Sequence, residues 1–529
     1  MKRLIYLLPA FALYLASCSD EVTVTDGGND GQTPAETSNL TTVKLATFNG
    51  DASRITYTNG TRADADVNEL QPGELKLTTI IENPNKEFYE YTKADGGRYM
   101  SATSVFKNSD GKYYVTYHVQ GNNYNTDLKT SVAGAIQVFE VNNDGTVNLG
   151  KGFRAVEPSK EDYDFNHIYF DKKDNRIVVV GHKWSVPSSW NSEDPYTGDN
   201  TRAIIGSFNP DNSELEYKTI TTSIEVRDDS NKLIDHEDAG DANCVVRIYD
   251  QYYLATRKGI AVLEAKESNL FDPVLNEDGS RYFVTTPGSC KFVNDDPNDY
   301  TRMQFLYLSE EKENTKDQTS KAKIVEFKVA TDGSDNKFIG FINENSHLTF
   351  FNSKTLDLTK YEDQFTLPNN VSPIDGKNTI CAFDNAKKLY VSLGKGGLYY
   401  KHPLHYGNET VEGTLTFDNR PVNCVYAEAP YQESFHGGYI YVANGARLTI
   451  IDRASLEEVA SYTLSAKDGI NENEASANYI HVEMGNSYPI SCYNIEGTVK
   501  ERIITVAYGQ AGVRIFKFMP KPSSAYPAP

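Results

Sequence analysis

Runs of strand-forming residues recur along this chain, and each follows or begins at a small polar residue. The seven runs are Ser101 to Phe106, Asn166 to Phe170, Asn243 to Ile248, Ser289 to Val293, Thr379 to Phe383, Asn423 to Tyr426 and Asn478 to Val482. Two or three further strand-like runs follow each of them. A repeating unit of about four strands is typical of one blade of a β-propeller. The pattern therefore predicts an all-β chain folded as a β-propeller of seven blades, with eight blades as the alternative.

The clearest unit runs from residue 423 to residue 464. It contains Tyr439 to Gly445 and Arg447 to Asp452, with Asn444-Gly445 predicted to form the tight hairpin turn between them. Units at 388–399 and 503–516 repeat the order of strand, glycine turn and strand. These last three units resemble the LVIVD-repeat family of bacterial surface β-propellers, whose repeats join a Tyr-Val-Ala-like strand to a Leu-x-Ile-Ile-Asp-like strand through a glycine turn. The resemblance implies the fold and no particular activity.

The regular pattern ends at Val513 to Phe518, which is the third strand of a unit without a fourth. Closure of a propeller ring commonly uses a strand from the opposite terminus, since an uncovered sheet edge is unfavourable. Leu75 to Ile81 or Phe88 to Tyr91 are predicted to supply that strand. Residues 338–357 also parallel 439–456, so this stretch is either an eighth, degenerate blade, an inserted hairpin or a doubled outer edge of a sheet.

The N-terminus predicts export and lipidation. Lys2 and Arg3 precede an apolar run that is too short to span a bilayer, and Leu15-Ala16-Ser17-Cys18 matches a bacterial lipoprotein processing site. Cys18 is the predicted lipidated residue, so the chain would be held at a membrane by acyl chains. Ser19 to Glu21 resembles the acidic signal that directs lipoproteins of Bacteroidota to the cell surface. We expect an outer-membrane lipoprotein that is exposed at the surface, with a periplasm-facing position as the alternative.

These features divide the chain into five predicted segments: a signal peptide (1–17), a lipidated flexible tether (18–40), an N-terminal segment with the ring-closing strand (41–95), the propeller (96–518) and a disordered tail (519–529). The formal net charge is −21 and basic residues do not cluster, which argues against nucleic acid as a partner. Cys244, Cys290 and Cys424 follow the small polar residue of their repeats. They are predicted to be buried free thiols, because equivalent positions in different blades seldom lie within disulfide distance.

Segments that lead into the first strand of each unit are the places where a propeller gathers ligand-binding residues. Asp162 to Asp164 is one such segment, and Asp235 to Asp241 is the densest, with His236, Asp238 and Asp241 as candidate ligand-binding residues. This segment is predicted to be a polar loop. Carboxylates and a histidine could hold Ca²⁺ or another divalent ion near Asp235, Asp238 and Asp241, or act as acid and base. The order of a calcium-binding loop is missing, so no metal or cofactor is assigned.

Aromatic and inner-strand residues supply the remaining candidates. Trp184 and Trp190 are the only tryptophans, and they lie with Tyr196 in one predicted insertion. Exposed aromatic rings stack on sugars or flat ligands, although a loop that folds these rings back onto the sheets is the alternative. Further candidates at the mouth of the channel are Asn166, His167 and His481, which lie in first-strand runs.

No motif in the sequence specifies a reaction: a nucleophile elbow, a zinc-binding helix and a phosphate loop are all missing. The sequence therefore favours a non-catalytic ligand-binding or protein-interaction module, accessory to the uptake of a glycan or a metal chelate. An outer-membrane transporter or another surface protein is the predicted macromolecular partner. The alternative is a propeller lyase or hydrolase that acts on polysaccharide with histidine and carboxylate groups.

Overall fold

Strands dominate the described part of the chain. The computed structural model describes residues 40–58, 70–84, 99–120, 134–142, 146–154, 161–185, 201–248, 250–256, 259–284, 289–292, 306–309, 322–324, 329–331, 337–342, 347–352, 363–366, 380–383, 388–392, 396–403, 410–418, 420, 422–428, 438–468, 477–492 and 495–521. Between residues 289 and 389 it describes the strand backbones only. Within these ranges the helices are three short 3-10 turns, Ala52–Arg54, Glu267–Asn269 and Ala466–Asp468. No helix of the described residues is long and apolar enough to cross a bilayer.

The first eighteen strands extend from residue 41 to residue 284. In chain order they are β1 (Thr41–Lys44), β2 (Ala46–Phe48), β3 (Ile55–Tyr57), β4 (Leu75–Ile81), β5 (Tyr99–Lys107), β6 (Lys112–Gln120), β7 (Ala135–Val141), β8 (Val147–Arg154), β9 (Glu161–Asp171), β10 (Arg176–Ser185), β11 (Thr201–Asn209), β12 (Glu214–Thr219), β13 (Thr221–Arg227), β14 (Leu233–Asp238), β15 (Ala242–Ile248), β16 (Gln251–Thr256), β17 (Gly259–Glu264) and β18 (Phe283–Val284).

The second half of the chain continues the same pattern of short strands. They are β19 (Ser289–Phe292), β20 (Leu306–Ser309), β21 (Ala322–Ile324), β22 (Val329–Thr331), β23 (Lys337–Ile342), β24 (His347–Asn352), β25 (Asp363–Thr366), β26 (Ile380–Phe383), β27 (Lys388–Ser392), β28 (Leu398–Pro403), β29 (Thr410–Leu415), β30 (Val422–Ala427), β31 (Tyr439–Asn444), β32 (Arg447–Asp452), β33 (Glu458–Thr463), β34 (Tyr479–Cys492), β35 (Ile495–Ala507) and β36 (Val513–Phe518).

The described strands form seven antiparallel sheets and one separate hairpin. The first sheet is β5 to β8, the second β9 to β12, the third β15 to β18, the fourth β19 to β25, the fifth β26 to β29, the sixth β30 to β33 and the seventh β34 to β36. The hairpin is β13 with β14. Neighbours in the chain are mostly neighbours in a sheet, because short turns join antiparallel strands. Strands β23 to β25 extend the fourth sheet, which they join through the single pair Lys323 and Ile342.

The N-terminal strands lie at the outer edges of three different sheets. Strand β2 pairs with β8 in the first sheet, and β1 pairs with β12 in the second. Strand β4 pairs with β36 along Leu75 to Ile81, and β3 lies outside β4. The N-terminal segment therefore joins the seventh sheet, at the end of the chain, to the first and second sheets.

The first strands of successive sheets pack against one another. Strand β5 contacts β9, and β9 contacts β15; in the second half β26 contacts β30, and β30 contacts β34. Strand β34 in turn contacts β5, so the last sheet lies against the first. These contacts between first strands, together with the N-terminal strands at sheet edges, follow the plan of β-propeller blades.

The core lies between the faces of adjacent sheets. Every residue of β31 is buried, and its side chains alternate between two clusters. Tyr439 and Tyr441 pack with residues of the seventh sheet, whereas Ile440 and Val442 pack with residues of the fifth. Successive side chains of a strand point to opposite faces, so a strand covered on both faces needs an unbroken apolar run. The sequence of β31 meets that requirement.

Several predictions of local structure are confirmed. The chain is all-β in its described part, and the seven predicted runs coincide with β5, β9, β15, β19, β26, β30 and β34. Gly445 has a φ of 63° in the turn after β31, as the Asn-Gly pair indicated. Cys244 and Cys424 are buried and form no disulfide among the described residues, whereas the side chain of Cys290 lies outside them.

Two local predictions are wrong. Asp235 to Asp238 do not form a loop, because they belong to β14 and pair with β13. Apolar and polar residues do not alternate clearly on these two strands, because the hairpin packs little of its surface on the core. Trp184 lies within β10 and not in an insertion, where its backbone pairs with Asp162 and Thr201.

Candidate functional site

The predicted site residues do not form one group. Cys18, Trp190 and Tyr196 lie outside the described residues, as does the candidate closing strand Phe88 to Tyr91. His167 is buried, with its ring centroid 5.8 Å from that of Tyr479, and His481 meets the ring of Tyr113 edge-on at 6.0 Å. Both histidines therefore pack against aromatic residues, Tyr479 on a first strand and Tyr113 on the second strand of the first sheet.

The residues of the acidic segment before the third sheet, Asp235 to Asp241, also lie in different surroundings. Asp235 is exposed on β14. Asp238 accepts a hydrogen bond from the amide of Gly240 and lies 3.4 Å from the Arg202 guanidinium. Burial, followed by the charge of Arg281, lowers the pKa of the partly exposed His236. Among the described residues no three His, Cys, Asp or Glu side chains converge as a metal site requires, so Asp235, Asp238 and Asp241 do not form a calcium site together.

Asp241 belongs instead to a buried polar cluster with Asn166. The Asn166 amide donates to Asp241 Oδ1 at 2.9 Å and to the carbonyl of Ala242 at 2.9 Å. His182 Nδ1 lies 3.1 Å from the same carboxylate oxygen. Burial tends to raise the pKa of Asp241, but His182, His118 and the Asn166 amide outweigh it and hold the pKa below its usual value.

A second pair of the same kind lies one sheet earlier. His118 Nδ1 lies 2.6 Å from Asp164 Oδ2, and both side chains are almost completely buried. The two histidine rings are 6.1 Å apart. In each pair the histidine comes from the second strand of one sheet, and the aspartate precedes or begins the first strand of the next.

This repetition indicates that the two His–Asp pairs join adjacent sheets. A pair that recurs at equivalent positions in successive repeats follows from the repeat itself, whereas an active site is a single arrangement. Both pairs are also closed to solvent, with at most 9% of each residue exposed. The surroundings are tight, because a Cβ on Gly134 would lie 2.4 Å from Asp164 Oδ1.

The two His–Asp contacts were not predicted from the sequence, although a clue to them was present. Asp164-Phe165-Asn166 and Asp241-Ala242-Asn243 share the order Asp-x-Asn at the start of a first strand. Each aspartate has its histidine partner in the preceding sheet, at a sequence separation that varies with the insertions between strands. The repeated Asp-x-Asn phrase was therefore the only local indication of the contact.

An open cleft lies at the other end of the first two sheets, which we call the turn end because β5 turns there into β6 and β9 into β10. Its volume is about 730 Å³. Its lining includes the aromatic rings of Tyr114 and Phe170. Phe106, which is not part of the lining, stacks on both, with its centroid 5.1 Å from that of Tyr114 and 5.6 Å from that of Phe170. Stacked rings of this kind form a rigid apolar base under a polar opening.

The rim of the cleft is polar and has charges of both signs. It is formed by turns and by the strands beside them, and its polar side chains include Asn108, Asp110, Lys112, Glu140, Asn148, Lys151, Asp174, Asn175, Arg176, Asn209 and Asp211. Ser109 Oγ lies 3.1 Å from Asn175 Oδ1, a hydrogen bond that joins the turn of the first sheet to that of the second. The cleft is thus bounded by two sheets whose turns are tied together.

Tyr114 is a polar side chain that the fold leaves without a hydrogen bond. It is 3% exposed and lines the cleft, and its hydroxyl makes no hydrogen bond to any described residue. Burial raises its pKa to about 12, with the charges of Asp110 and Asp211 adding to the effect. The hydroxyl is not itself among the fully buried unpartnered atoms, so it is within reach of the open cleft.

Comparisons with known proteins find no family that matches this chain and no curated protein that is similar to it. Solved structures with a similar fold include a Bacteroides uniformis protein provisionally named a 6-phosphogluconolactonase. It is 11% identical, the match covers 68% of this chain and 88% of that chain, and the TM-score is 0.35. They also include the extracellular domain of the provisionally named hybrid two component system BT4673 of B. thetaiotaomicron. It is 10% identical, the match covers 87% of this chain and 44% of that chain, and the TM-score is 0.39. A third is the β-propeller domain of Myceliophteria thermophila Cps50 (Swd1) (8% identity, 79% and 96%, TM-score 0.37). At these TM-scores the similarities carry no argument about the site.

Proposed function

We propose that this protein is a lipid-anchored β-propeller of the bacterial outer membrane, and that it binds a glycan in the cleft at the turn end of its first two sheets. The propeller would have seven blades, one for each sheet, and β4 would close the ring by completing the seventh. The contact of β34 with β5 and the pairing of β4 with β36 support this arrangement. The lipoprotein processing site at Cys18 supports the anchor.

The observation that carries the binding function is the cleft itself, which combines a polar rim that has charges of both signs with aromatic side chains in its lining. Sugars present both polar hydroxyl groups and apolar C–H faces, so proteins bind them with mixed rims and aromatic surfaces. The amides and carboxylates around the opening supply donors and acceptors of this kind. The buried His–Asp pairs lack comparable access to solvent, which is why we place the ligand at the turn end.

A glycan panel tested by thermal shift and calorimetry on the mature protein examines this function. Asn148 is exposed on the rim, so Asn148→Trp should obstruct the cleft without disturbing the core. Glu216→Trp, at an exposed position of β12 away from the lining, is the matched control. We expect a glycan whose binding is abolished by Asn148→Trp and retained by Glu216→Trp. The proposal fails if no glycan binds, or if both variants bind alike.

Docking to an outer-membrane protein is a second candidate function, favoured by the hairpin β13–β14. Its apolar side chains Ile224 and Ile234 are 53% and 60% exposed, which is unusual for isoleucine. Crosslinking of the mature protein in its native membrane would test it. The double change Ile224→Ser and Ile234→Ser should remove a crosslinked transporter, whereas the exposed turn change Asp278→Asn should retain it. Equal crosslinking by all three proteins would contradict docking through this hairpin.

A further inference from the structure

Residues 41–48, which we call the strap, join the edges of the first two sheets. The strap consists of β1, which pairs with β12 of the second sheet, then Leu45, then β2, which pairs with β8 of the first. Leu45 is 3% exposed, and its N–H donates to the carbonyl of Ser213 at 2.8 Å. One short segment therefore ties the two sheets together.

The strap braces two walls of the cleft without lining it. The described residues that line the cleft include none of the strap. On one side Lys44 donates to the carbonyl of Asn212, which directly follows a residue of the rim. On the other side the ring of Phe48 lies so close to Gly152 that a Cβ on that glycine would overlap the ring. Both chain neighbours of Gly152 line the cleft.

The buried side chains of the strap share a core cluster with side chains of the lining. Val43 and Leu45 belong to the same cluster as Tyr114, Phe153 and Phe208, and the last three line the cleft. Because protein interiors are close-packed, a displaced side chain shifts its neighbours. The seating of the strap and the positions of these aromatic rings are therefore linked.

The hydrogen bond between Ser109 and Asn175 ties the same two sheets at their other edges. It joins the turn after β5 to the turn after β9, which are the first strands of the two sheets, whereas the strap joins the last strands, β8 and β12. Lining residues such as Phe139 of β7 lie on strands between these two ties. The separation of the sheets across the cleft is thus fixed at both edges.

The strap is held less firmly than the sheets that it joins. β1 has four residues, of which only Val43 is buried, and no residue of β2 is buried. Short edge strands with few buried side chains are the parts of a fold that open most readily. We therefore expect the strap to detach more readily than the two sheets unfold.

We propose that the strap sets the width of the cleft, with Leu45 and Phe48 as positioning residues, and that ligand binding is coupled to the seating of the strap. This inference rests on the proposed function, because it names the regulation of the same cleft. The strap continues through Leu40 toward the predicted lipid anchor at Cys18. A pull on the anchor would therefore reach the propeller first at β1 and lower the affinity of the cleft.

Hydrogen exchange of the ligand-free mature protein, measured by mass spectrometry, tests the link between strap and walls. Leu45→Ala and Phe48→Ala should speed exchange about tenfold in segments 146–154 and 207–215. Leu45→Met keeps the volume of the side chain and should keep exchange slow. The matched control is Leu77→Ala on β4, another N-terminal strand, where the leucine is 2% exposed and packs with the sixth and seventh sheets. It should leave both segments unchanged.

Calorimetry tests the coupling to binding, with the neutral tetrasaccharides cellotetraose, maltotetraose and xylotetraose as probes. For a tetrasaccharide that binds, Leu45→Ala should raise Kd about tenfold, whereas Leu45→Met and Leu77→Ala should leave it near the wild-type value. Coupling is reciprocal, so saturating ligand should slow the exchange of segment 41–48 about tenfold. A merely structural role of Leu45 would lower the melting temperature without changing Kd well below it.

The outcomes separate this inference from the proposed function. Equal binding of a tetrasaccharide by wild type and Leu45→Ala, or a bound ligand that leaves the exchange of 41–48 unchanged, overturns the inference and leaves glycan binding intact. Faster exchange confined to 41–48, or found equally in Leu77→Ala, also overturns it. If no saccharide binds, the proposed function fails, and the exchange of the ligand-free variants still decides whether the strap sets the walls.

Discussion

Closure of the ring by β4 can be tested with a disulfide between β4 and β36. Lys76 and Lys517 are opposite each other in the register of these two strands, and both side chains are partly exposed. Directly opposed residues have Cβ atoms about 4.5–5.5 Å apart, which is close to the geometry of a disulfide. The double change Lys76→Cys and Lys517→Cys should therefore crosslink under mild oxidation.

The expected gain in stability follows from the length of chain that the crosslink encloses. The loop between the two positions contains about 440 residues. The loss of chain entropy in the unfolded state grows with the logarithm of this length, which gives about 6 kcal/mol at 25 °C as the ideal stabilisation. So large a value requires that the two ends of the chain meet in the native fold and separate on unfolding.

Guanidinium unfolding followed by far-UV circular dichroism, with and without reductant, measures the gain. We expect the oxidised protein to unfold at a higher denaturant concentration and reduction to restore the original midpoint. A control pair, Lys76→Cys with Lys500→Cys, places one cysteine on β35, two strands away, where about 10 Å separates the backbones and no disulfide should form. Closure by β4 is contradicted if the first pair fails to crosslink, or if its reduction leaves the midpoint unchanged.

Three further changes probe the packing between sheets. Ile81→Ala removes a fully buried side chain between the seventh and first sheets. It should lower the free energy of unfolding in urea by about 2–5 kcal/mol, whereas the exposed Ile224→Ala should lower it by less than about 0.5 kcal/mol. Equal losses in the two variants would contradict this packing. Arg502 Nε donates to Glu428 at 2.7 Å inside the protein, so Glu428→Gln should cost about 3–5 kcal/mol by leaving a buried charge unpaired; a loss below about 1 kcal/mol in the same assay would refute this. Because the pKa of Asp241 is lowered in the native state, its charged form stabilises the fold at pH values above the unfolded pKa of about 4. This stabilisation is lost as the pH falls through the native pKa. Asp241→Asn should therefore be less stable than the wild type at pH 6 and approach it below about pH 4, with Asp229→Asn as the exposed control; a difference independent of pH would argue against the charge of Asp241.

The strand pattern could be predicted because it depends on local properties. The run from Tyr439 to Ala443 alternates between two neighbouring sheets, and both faces are apolar. Asn444-Gly445 supplies the backbone angle that its turn needs. Each signal lies within a few residues of the feature it specifies, and the repeat presents it several times.

The hairpin β13–β14 was missed because it lacks the signal that identified the other strands. Its strands pair chiefly with each other, and side chains such as Ile224 and Leu233 remain exposed. Without a buried face there is no alternation of apolar and polar residues to detect. The cluster of acids from Asp235 onward therefore suggested a loop, although its backbone forms a strand.

The cleft was beyond prediction for a different reason. The candidate residues were sought in the segments that lead into first strands, but the polar side chains at that end, His118, Asp164, His182 and Asp241, are buried between sheets. The cleft lies at the opposite end, and its residues come from ordinary turns and from the strands beside them. Their common location depends on how two sheets pack side by side.

The first two sheets are thus joined differently at their two ends, although the same strands run from one end to the other. At the incoming end, histidine and aspartate side chains reach across the boundary between sheets and close it. At the turn end the sheets meet through stacked rings and through the hydrogen bond between Ser109 and Asn175. Because the buried pairs join the two sheets at the incoming end, the turn end can remain open, and turn residues such as Asp110 and Asp211 stay exposed there.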